Sequence, residues 1–141
     1  MRFEIFEGAV PKEAARLRQE VFVDEQGFCD EFDEFDARST HIVMFDGDEA
    51  VATLRFYFEG EDSYHVGRVA VKKSRRGEGL GRVIMSEAVG VVSRRGGKFM
   101  TVGAQEDKAG FYSRCGFAPT GERYFEQDYP HVSMRLEIKN P

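Results

Sequence analysis

The sequence predicts an α+β domain in which helices flank a mixed, mostly antiparallel β-sheet. Three observations lead to this class: the length, the apolar content and the order of the periodic segments. The 141 residues match one compact domain, so we expect residues 1–141 to form a single domain. Hydrophobic residues make up 41% of the chain, enough to build a core and to exclude wholesale disorder. The segments follow in the order β-α-β-β-β-α-β-α-β-β, which is not a regular βαβ repeat.

The first half of the chain reads as a strand, a helix and three further strands. Pro11 suits the first position of a helix, and apolar residues then recur at helical spacing as far as Gly27. The turn residues Asp46-Gly47-Asp48 separate two apolar runs, which is typical of a hairpin. The predicted strands of this half are residues 1–6, 40–45, 50–58 and 64–71.

The second half opens with a basic, glycine-rich loop at residues 72–81, which leads into a strongly amphipathic helix. Gly96 and Gly97 end that helix. Its predicted apolar face consists of Leu80, Val83, Ile84, Ala88, Val91 and Val92. The remaining predicted elements are a strand at 99–104, a short helix at 107–114, and strands at 117–126 and 131–138.

The composition excludes several function classes. Acidic residues (25) outnumber basic residues (20), and the net charge of −5 argues against a nucleic-acid binder. No run approaches the ~18 apolar residues of a membrane span, and the N-terminus lacks a signal-peptide core, so we expect a cytoplasmic protein with no membrane partner. Cys29 and Cys115 form no Cys-x-x-Cys pair, and His41, His65 and His131 lack zinc-like spacing, so we expect no metal site.

The glycine-rich loop has the features of an anion-binding site. A strand leads into it and a helix follows, so the unpaired N–H groups of the first helical turn would face a ligand. Gly77, Gly79 and Gly81 allow close approach of the backbone, and four basic residues within 72–76 reverse the sign of an otherwise acidic chain. The spacing fits neither the Walker A motif nor the dinucleotide fingerprint. The alternative is an ordinary glycine-rich connection with surface arginines.

Two motifs resemble the GNAT superfamily of acyl-CoA-dependent N-acetyltransferases. The run Arg76-Gly77-Glu78-Gly79-Leu80-Gly81 is similar to the family's Arg/Gln-x-x-Gly-x-Gly/Ala signature. The run Phe111-Tyr112-Ser113-Arg114-Cys115-Gly116-Phe117 resembles its Phe/Leu-Tyr-x-x-x-Gly-Phe segment. The order of elements also follows the family, so the resemblance covers nearly the whole chain, and shorter matches such as Gly67-Arg68-Val69 resemble the ElaA/YjcF-like branch. The resemblance implies a GNAT-like sheet that is splayed at its centre.

The resemblance also implies acetyl-CoA as the co-substrate. In the family, backbone amides of the glycine-rich loop hold the pyrophosphate, and the preceding strand pairs with pantetheine in the splay between two parallel strands. Arg75, Lys72 or Lys73 would meet the outer phosphate. The residues that the resemblance assigns to cofactor binding are Val69, Ala70, Val71, Arg75, Arg76, Gly77, Glu78, Gly79, Leu80, Gly81, Gln105 and Tyr112.

The implied reaction is direct attack of a primary amine on the thioester, through a tetrahedral intermediate. The Val71 N–H would stabilise the oxyanion, and Tyr112 would protonate the leaving thiolate. A protonated amine cannot attack, so a base must accept its proton. The candidates are Glu126, His131, Glu25 and Asp36. The first two are favoured because the end of the chain borders the acceptor pocket in this family.

Other polar residues have plainer interpretations. The acidic run at residues 30–36 is either a rim that attracts a cationic amine or, as is more common for such runs, a solvated loop. We expect His41 and His65 to be satisfied core or edge residues, and Cys115 to be an inert packing residue.

These considerations predict an N-acetyltransferase that moves an acetyl group from acetyl-CoA to a small-molecule or peptide amine. The alternative is a CoA-binding sensor or accessory module without turnover, against which Tyr112 argues, because a pure binder needs no acid for a thiolate. Nucleic-acid binding through residues 72–76 is disfavoured because that single loop lacks interleaved aromatic residues. For the assembly, the sequence leaves a monomer and a homodimer open.

Overall fold

The computed structural model of the protein describes residues 1–28 and 32–139. The strands are β1 (Arg2–Glu7), β2 (Thr40–Asp46), β3 (Glu49–Gly60), β4 (Ser63–Val71), β5 (Phe99–Gln105), β6 (Ala118–Glu126) and β7 (Tyr129–Glu137). The helices are α1 (Lys12–Arg18), α2 (Leu80–Arg94) and α3 (Ala109–Arg114). Helix α1 continues as a π-helical stretch, Gln19–Glu25, which we call the π segment. Short 3₁₀ turns lie at Glu34–Arg38, Lys73–Arg75 and Glu106–Lys108.

The strands form one sheet in the order β1-β2-β3-β4-β5-β7-β6. Every neighbouring pair is antiparallel except β4 and β5, which run parallel. These two strands pair only over their first residues, and the last paired position is His65 with Thr101. Beyond that position β4 and β5 separate, so the centre of the sheet is splayed. The predicted mixed, mostly antiparallel sheet with flanking helices is confirmed.

Helices cover both faces of the sheet. On one face, Ile84 of α2 is fully buried in the main core together with Phe56 of β3 and Met100 of β5. On the other face, Val21 of the π segment packs against Ala70 of β4. The amphipathic character of both helical regions therefore serves to cover the two apolar sides of one sheet.

Glycines delimit α2, the helix that follows the glycine-rich loop. Gly79 has φ +78° immediately before the helix, a conformation that side chains with a Cβ disfavour. After the helix, the Gly97 N–H donates to the Val92 carbonyl at 2.9 Å, and a Cβ at Gly97 would lie 2.3 Å from the Val92 side chain. The predicted helix is confirmed, but Val83, which we expected on its apolar face, is 43% exposed.

Two other expectations need correction. The first predicted helix does not run uniformly to Gly27, because it changes from α to π geometry after Arg18. The acidic run is not simply a solvated loop: Asp36 is buried and Asp33 is half-buried. Residues 29–31 of the region lie outside the described residues. Within the described part of the chain, no helix is both long and apolar enough to cross a bilayer.

Candidate active site

A cleft of about 800 Å³ runs through the splay between β4 and β5. At one end it is lined by the glycine-rich loop, including Gly77 and Gly79. At the other end it is lined by side chains of β3, β4, β6 and β7 and of the segment before β2. The cleft thus joins a polar loop rich in backbone N–H groups to a chamber lined by aromatic and ionisable side chains.

The backbone of Val71 faces the splay. The Lys72 N–H donates to the Val51 carbonyl at 2.9 Å, and Val71 is paired in register with Ala52. Because hydrogen-bonded and non-bonded pairs alternate in an antiparallel ladder, the Val71 N–H and C=O point away from β3, toward β5. The carbonyl accepts a hydrogen bond from Arg76 Nε at 3.2 Å. The N–H is left facing the cleft.

The glycine-rich loop combines open space with one close approach. Gly77 and Gly79 have φ values of +88° and +78°, and a Cβ at either would meet nothing within 4 Å. Gly81 differs, since a Cβ there would lie 2.9 Å from the ring of Phe111. The first two glycines therefore supply backbone conformation beside free volume, and the third lets α2 pack against α3.

Arg75 is held by acidic side chains. Its guanidinium donates to Asp46 at 2.9 Å, to Glu49 at 3.0 Å and to Glu78 at 3.1 Å. These hydrogen bonds, led by the one to Glu78, raise the pKa of Arg75. Lys72 is also paired, to Glu49 at 2.8 Å. The sequence did not reveal that Arg75 and Lys72, two of the three basic residues expected to meet the outer phosphate, already pair with carboxylates.

Arg76 links the loop to the π segment. It donates two hydrogen bonds to the carboxylate of Glu25, at 2.6 and 2.8 Å. The bond from Arg76 lowers the pKa of Glu25. Glu25 is therefore an ionised partner of the loop rather than a free base beside the acceptor chamber.

Three other basic residues line the cleft mouth, and sequence reasoning did not single them out. Arg82, Lys108 and Arg114 all border the cleft. None of them forms a salt bridge with another residue that the structure describes. Their spacing along the chain is irregular, so only the folded arrangement shows that they converge.

Tyr112 is buried between aromatic rings. Its ring meets those of Phe111 and Phe117 edge-on, with centroids 5.0 and 5.7 Å apart. Its hydroxyl makes no hydrogen bond with any described residue, although the side chain lines the cleft. Burial raises the pKa of Tyr112 well above its usual range, so the phenol stays protonated at neutral pH.

Gln105 ties β5 to the π segment. Its side-chain amide donates to Gln26 at 2.9 Å, and both residues line the cleft. This bond holds the segment that covers the chamber against the strand on the far side of the splay. The predicted cofactor residue Gln105 is therefore at the cleft, in a bridging position.

His131 and Glu126, the two favoured candidates for the base, both line the cleft. The His131 Nδ1 donates to the Tyr129 carbonyl at 2.8 Å, since a carbonyl oxygen can only accept. Its Nε2 lies 3.8 Å from the Glu126 carboxylate. The Tyr124 ring stacks on the imidazole, with centroids 5.4 Å apart and planes inclined by 22°. In a neutral ring the Nε2 lone pair is therefore open to the cleft.

His65, expected to be a satisfied core or edge residue, also lines the cleft. Its Nδ1 lies 2.8 Å from the Thr101 hydroxyl, which itself donates to Glu59 at 2.7 Å. By contrast, His41 is fully buried, and its Nε2 bonds the Gly8 carbonyl at 2.7 Å, as expected for a satisfied core residue. The sequence alone does not distinguish His65 from His41, because both lie on predicted strands.

Asp36 belongs to an ion cluster beside the chamber. Arg18 donates to Asp36 at 2.8 and 3.2 Å, and Arg55 bonds both Asp36 and Asp33, at 2.8 and 2.6 Å. Arg68, in a β4 bulge with φ +52°, donates to Asp33 at 3.1 Å. Burial raises the pKa of Asp36, but the bonds from Arg18 and Arg55 outweigh it and bring the pKa to about 2. Asp36 is thus a structural anion and not the base.

Residues 9–138 match the sequence model of the acetyltransferase (GNAT) domain family. The chain belongs to the GNAT acetyltransferase family. It is an acyltransferase, and the two motifs that suggested this relationship lie where the structure places the cleft.

Relatives of this GNAT acetyltransferase include two named bacterial proteins. It is 33% identical to the uncharacterized N-acetyltransferase YjcF of Bacillus subtilis over 127 residues, which are 87% of this chain and 89% of YjcF. It is 34% identical to ElaA of Escherichia coli over 129 residues, which are 87% of this chain and 84% of ElaA. The predicted resemblance to the ElaA/YjcF-like branch is confirmed.

Solved structures agree on the GNAT fold. The crystal structure of E. coli ElaA superposes with a TM-score of 0.84 at 29% identity, covering 96% of this chain and 99% of that one. The structure of an acyl-CoA N-acyltransferase from Pseudomonas aeruginosa superposes with a TM-score of 0.83 at 27% identity, covering 96% of this chain and 98% of that one. An aminoglycoside 6'-N-acetyltransferase complexed with coenzyme A shares the fold at 16% identity, with a TM-score of 0.77 and coverage of 100% and 99%.

Proposed function

We propose that this chain, acting as one domain, transfers an acetyl group from acetyl-CoA to a primary amine. One observation carries the proposal: the splay between β4 and β5 connects the glycine-rich loop to a chamber that holds candidate acid and base residues. The opening exposes main-chain N–H groups of β4 along a slot, which suits an extended, amide-containing chain such as pantetheine. A neighbour with the same fold was crystallised with coenzyme A, which supports the same ligand here.

The glycine-rich loop suits the pyrophosphate of this ligand. Open space over Gly77 and Gly79 leaves room for phosphate oxygens, and the N–H groups at the start of α2 supply donors and the positive end of the helix dipole. For the outer phosphate we assign Arg82, Lys108 and Arg114, because Arg75 is already bound by carboxylates. The loop therefore positions the cofactor through its backbone, and the cleft mouth supplies the charge.

Tyr112 is the proposed acid for the departing sulfur. The phenol is protonated at neutral pH, and its hydroxyl is uncommitted within the described residues. Its raised pKa exceeds the ~8.5 of an ordinary thiol, so proton transfer to a free thiolate is uphill. Tyr112 therefore donates a hydrogen bond to the sulfur as negative charge develops. When its proton passes to the sulfur, the phenol regains one of the two protons that the amine nitrogen gives up, and the other leaves to solvent.

His131 is the proposed base for the incoming amine, with Glu126 stabilising the imidazolium that forms. The bond from Nδ1 to the Tyr129 carbonyl fixes the tautomer in which Nε2 carries the lone pair. The Glu126 carboxylate lies 3.8 Å from Nε2, the nitrogen that would accept the proton. The acceptor is a small molecule or a peptide amine that reaches this chamber from the open side of the cleft.

The test measures cofactor binding and chemistry separately on the full chain. Isothermal titration with acetyl-CoA should show binding, and an assay of free thiol against a panel of amines should show release of CoA only with an acceptor present. Absence of cofactor binding would contradict the proposal. Binding without thiol release by any amine would favour the alternative, a CoA-binding sensor or accessory module.

A further inference from the structure

The direction of two hydrogen bonds determines which nitrogen of His65 carries the proton. The Thr101 hydroxyl has one proton, and it donates that proton to the Glu59 carboxylate at 2.7 Å. The hydroxyl oxygen must then accept from His65 Nδ1, which lies 2.8 Å away. Neutral His65 is therefore the Nδ1–H tautomer, and its Nε2 lone pair has no hydrogen-bond partner among the described residues.

His65 and His131 lie on the same side of the splayed sheet. His65 pairs with Thr101, and His131 pairs with Gln105 of the same strand. Side chains four residues apart on a strand share a face, so the two imidazoles flank the opening from the side covered by the π segment. Both rings line the cleft, and each commits Nδ1 to a protein oxygen and leaves Nε2 open.

The proposed reaction requires two deprotonations of one nitrogen. A protonated amine, R–NH₃⁺, loses one proton before it attacks, and the nitrogen loses a second after the C–N bond has formed. One of these protons ends on the CoA sulfur when the C–S bond breaks, and the other is released to solvent. A site that holds two histidines with open Nε2 atoms can assign one base to each proton.

We propose that His65 is a second catalytic base of this site, which removes the proton from the amine nitrogen after it has attacked the thioester. Thr101 and Glu59 are positioning residues, because they fix the tautomer of His65 and neither is among the described residues that line the cleft. The inference rests on the proposed function. It adds a residue to which the sequence motifs assigned no role in the site.

The charges around His65 suit a base that is neutral before the reaction. Burial lowers its pKa, and Arg55 and Arg68 lower it further, whereas Glu59 and Glu126 raise it. Tyr57, with its ring centroid 5.4 Å from that of His65, is a further titratable side chain beside the ring. The ring therefore holds its lone pair at pH 7, and the nearby carboxylates stabilise the imidazolium once a proton arrives.

The test compares kcat and KM across pH for His65→Gln, Glu59→Gln and the matched control Ser63→Ala. Ser63 donates to the same Glu59 oxygen at 2.6 Å but makes no hydrogen bond with His65. We expect His65→Gln to lower kcat by about 100-fold with little change in KM. Glu59→Gln should shift the acidic limb of the pH profile to lower pH, because it removes a charge that raises the His65 pKa. Ser63→Ala should leave the limb in place.

Nuclear magnetic resonance of the imidazole nitrogens measures the tautomer of His65 directly and does not require turnover. The Nδ1–H tautomer of His65 should dominate in the intact enzyme and become mixed in Thr101→Val. A dominant Nε2–H tautomer, or wild-type kcat in His65→Gln at all pH values, would overturn this inference alone. If the intact enzyme binds acetyl-CoA but acetylates no amine, the proposed function fails, and the role of His65 fails with it.

Discussion

The hydroxyl of Tyr124 lies so close to Gly103 that a Cβ at that position would be 2.1 Å from the phenol oxygen. Tyr124 also stacks on His131, so the bare backbone of β5 at Gly103 determines where the proposed base sits. A glycine that carries no positive φ is thus required here for space and not for conformation. This relationship links the splayed strand to the chemistry of the neighbouring hairpin β6–β7.

Replacing Gly103 should displace the Tyr124–His131 pair. Gly103→Ala is expected to reduce stability by about 1–3 kcal/mol and to lower kcat, because the methyl group overlaps the phenol oxygen. Tyr124→Phe removes that oxygen, and the next Tyr124 atom is 3.4 Å from the added Cβ. The double variant should therefore recover most of the loss, which chemical denaturation and steady-state kinetics can measure. Additive losses would contradict the steric account.

Tyr112→Phe should separate chemistry from binding. The hydroxyl lacks a hydrogen-bond partner among the described residues, so its removal should leave the melting temperature nearly unchanged. We expect kcat to fall by about 100-fold, while the Kd for acetyl-CoA changes little. Calorimetry and a thiol-release assay give these quantities. Weaker binding with unchanged kcat would overturn the assignment of Tyr112 as the acid.

Gly79→Ala should weaken cofactor binding through the backbone. Ala at φ +78° is strained by about 1 kcal/mol, and relief of that strain moves the amides of the loop. We expect the Kd for acetyl-CoA to rise about tenfold or more. Gly96→Ala is the matched control, because Gly96 has φ +86° and equally free space but lies after α2. Equal effects of both variants on Kd would show that strain, and not the loop, is responsible.

Arg82, Lys108 and Arg114 should contribute charge to cofactor binding. Each change to Gln is expected to weaken acetyl-CoA binding about two- to fivefold, more at low ionic strength. The variants should also reduce the preference for CoA over 3'-dephospho-CoA. Lys98→Gln is the control, since Lys98 is 66% exposed in its side chain and does not border the cleft. If preference for the phosphorylated form persists in all three variants, the assignment is wrong.

Asp36 should make the stability of the fold depend on pH. Its pKa is about 2 in the folded chain and ~3.9 when unfolded, so its ionised form contributes about 2 kcal/mol above pH 5. This contribution is lost as the pH falls from 5 toward 2, because the folded carboxylate becomes protonated. Asp36→Asn should be less stable by about 3 kcal/mol at pH 7, since Arg18 and Arg55 both lose an ion pair with a buried carboxylate. Urea unfolding at several pH values should show the difference from wild type shrinking in acid.

Patterns of local sequence were sufficient to predict the secondary-structure elements and the position of the glycine-rich loop. The apolar runs of β2 to β4 with turn residues between them, the apolar face of α2 and the glycines at both of its ends are all local properties of the chain. Hydrophobic periodicity and backbone preference act over a few residues, so a single sequence displays them. The motif at residues 76–81 could be found in the same way, because a helix N-terminus with preceding glycines is itself a local feature.

Charge pairing was not predictable, because partners come from distant parts of the chain. In the sequence, Arg75 and Asp36 cannot be told from ordinary surface charges. In the structure, each is hydrogen-bonded to an oppositely charged residue 18 to 29 positions away. The exposed position of Val83 likewise depends on how far α2 turns against the sheet. Pairing and burial are properties of the packed structure, whose contacts the order of residues does not display.

The sequence by itself determined the family, the order of strands and helices, and the position of the glycine-rich loop. Only the tertiary structure decided that β4 and β5 part after His65 and Thr101, and that His65, Tyr124 and His131 face the same opening. The physical reason is that a splay is a missing set of hydrogen bonds between strands 28 or more residues apart. A local pattern can specify each strand, but only packing from both faces determines where two strands stop pairing.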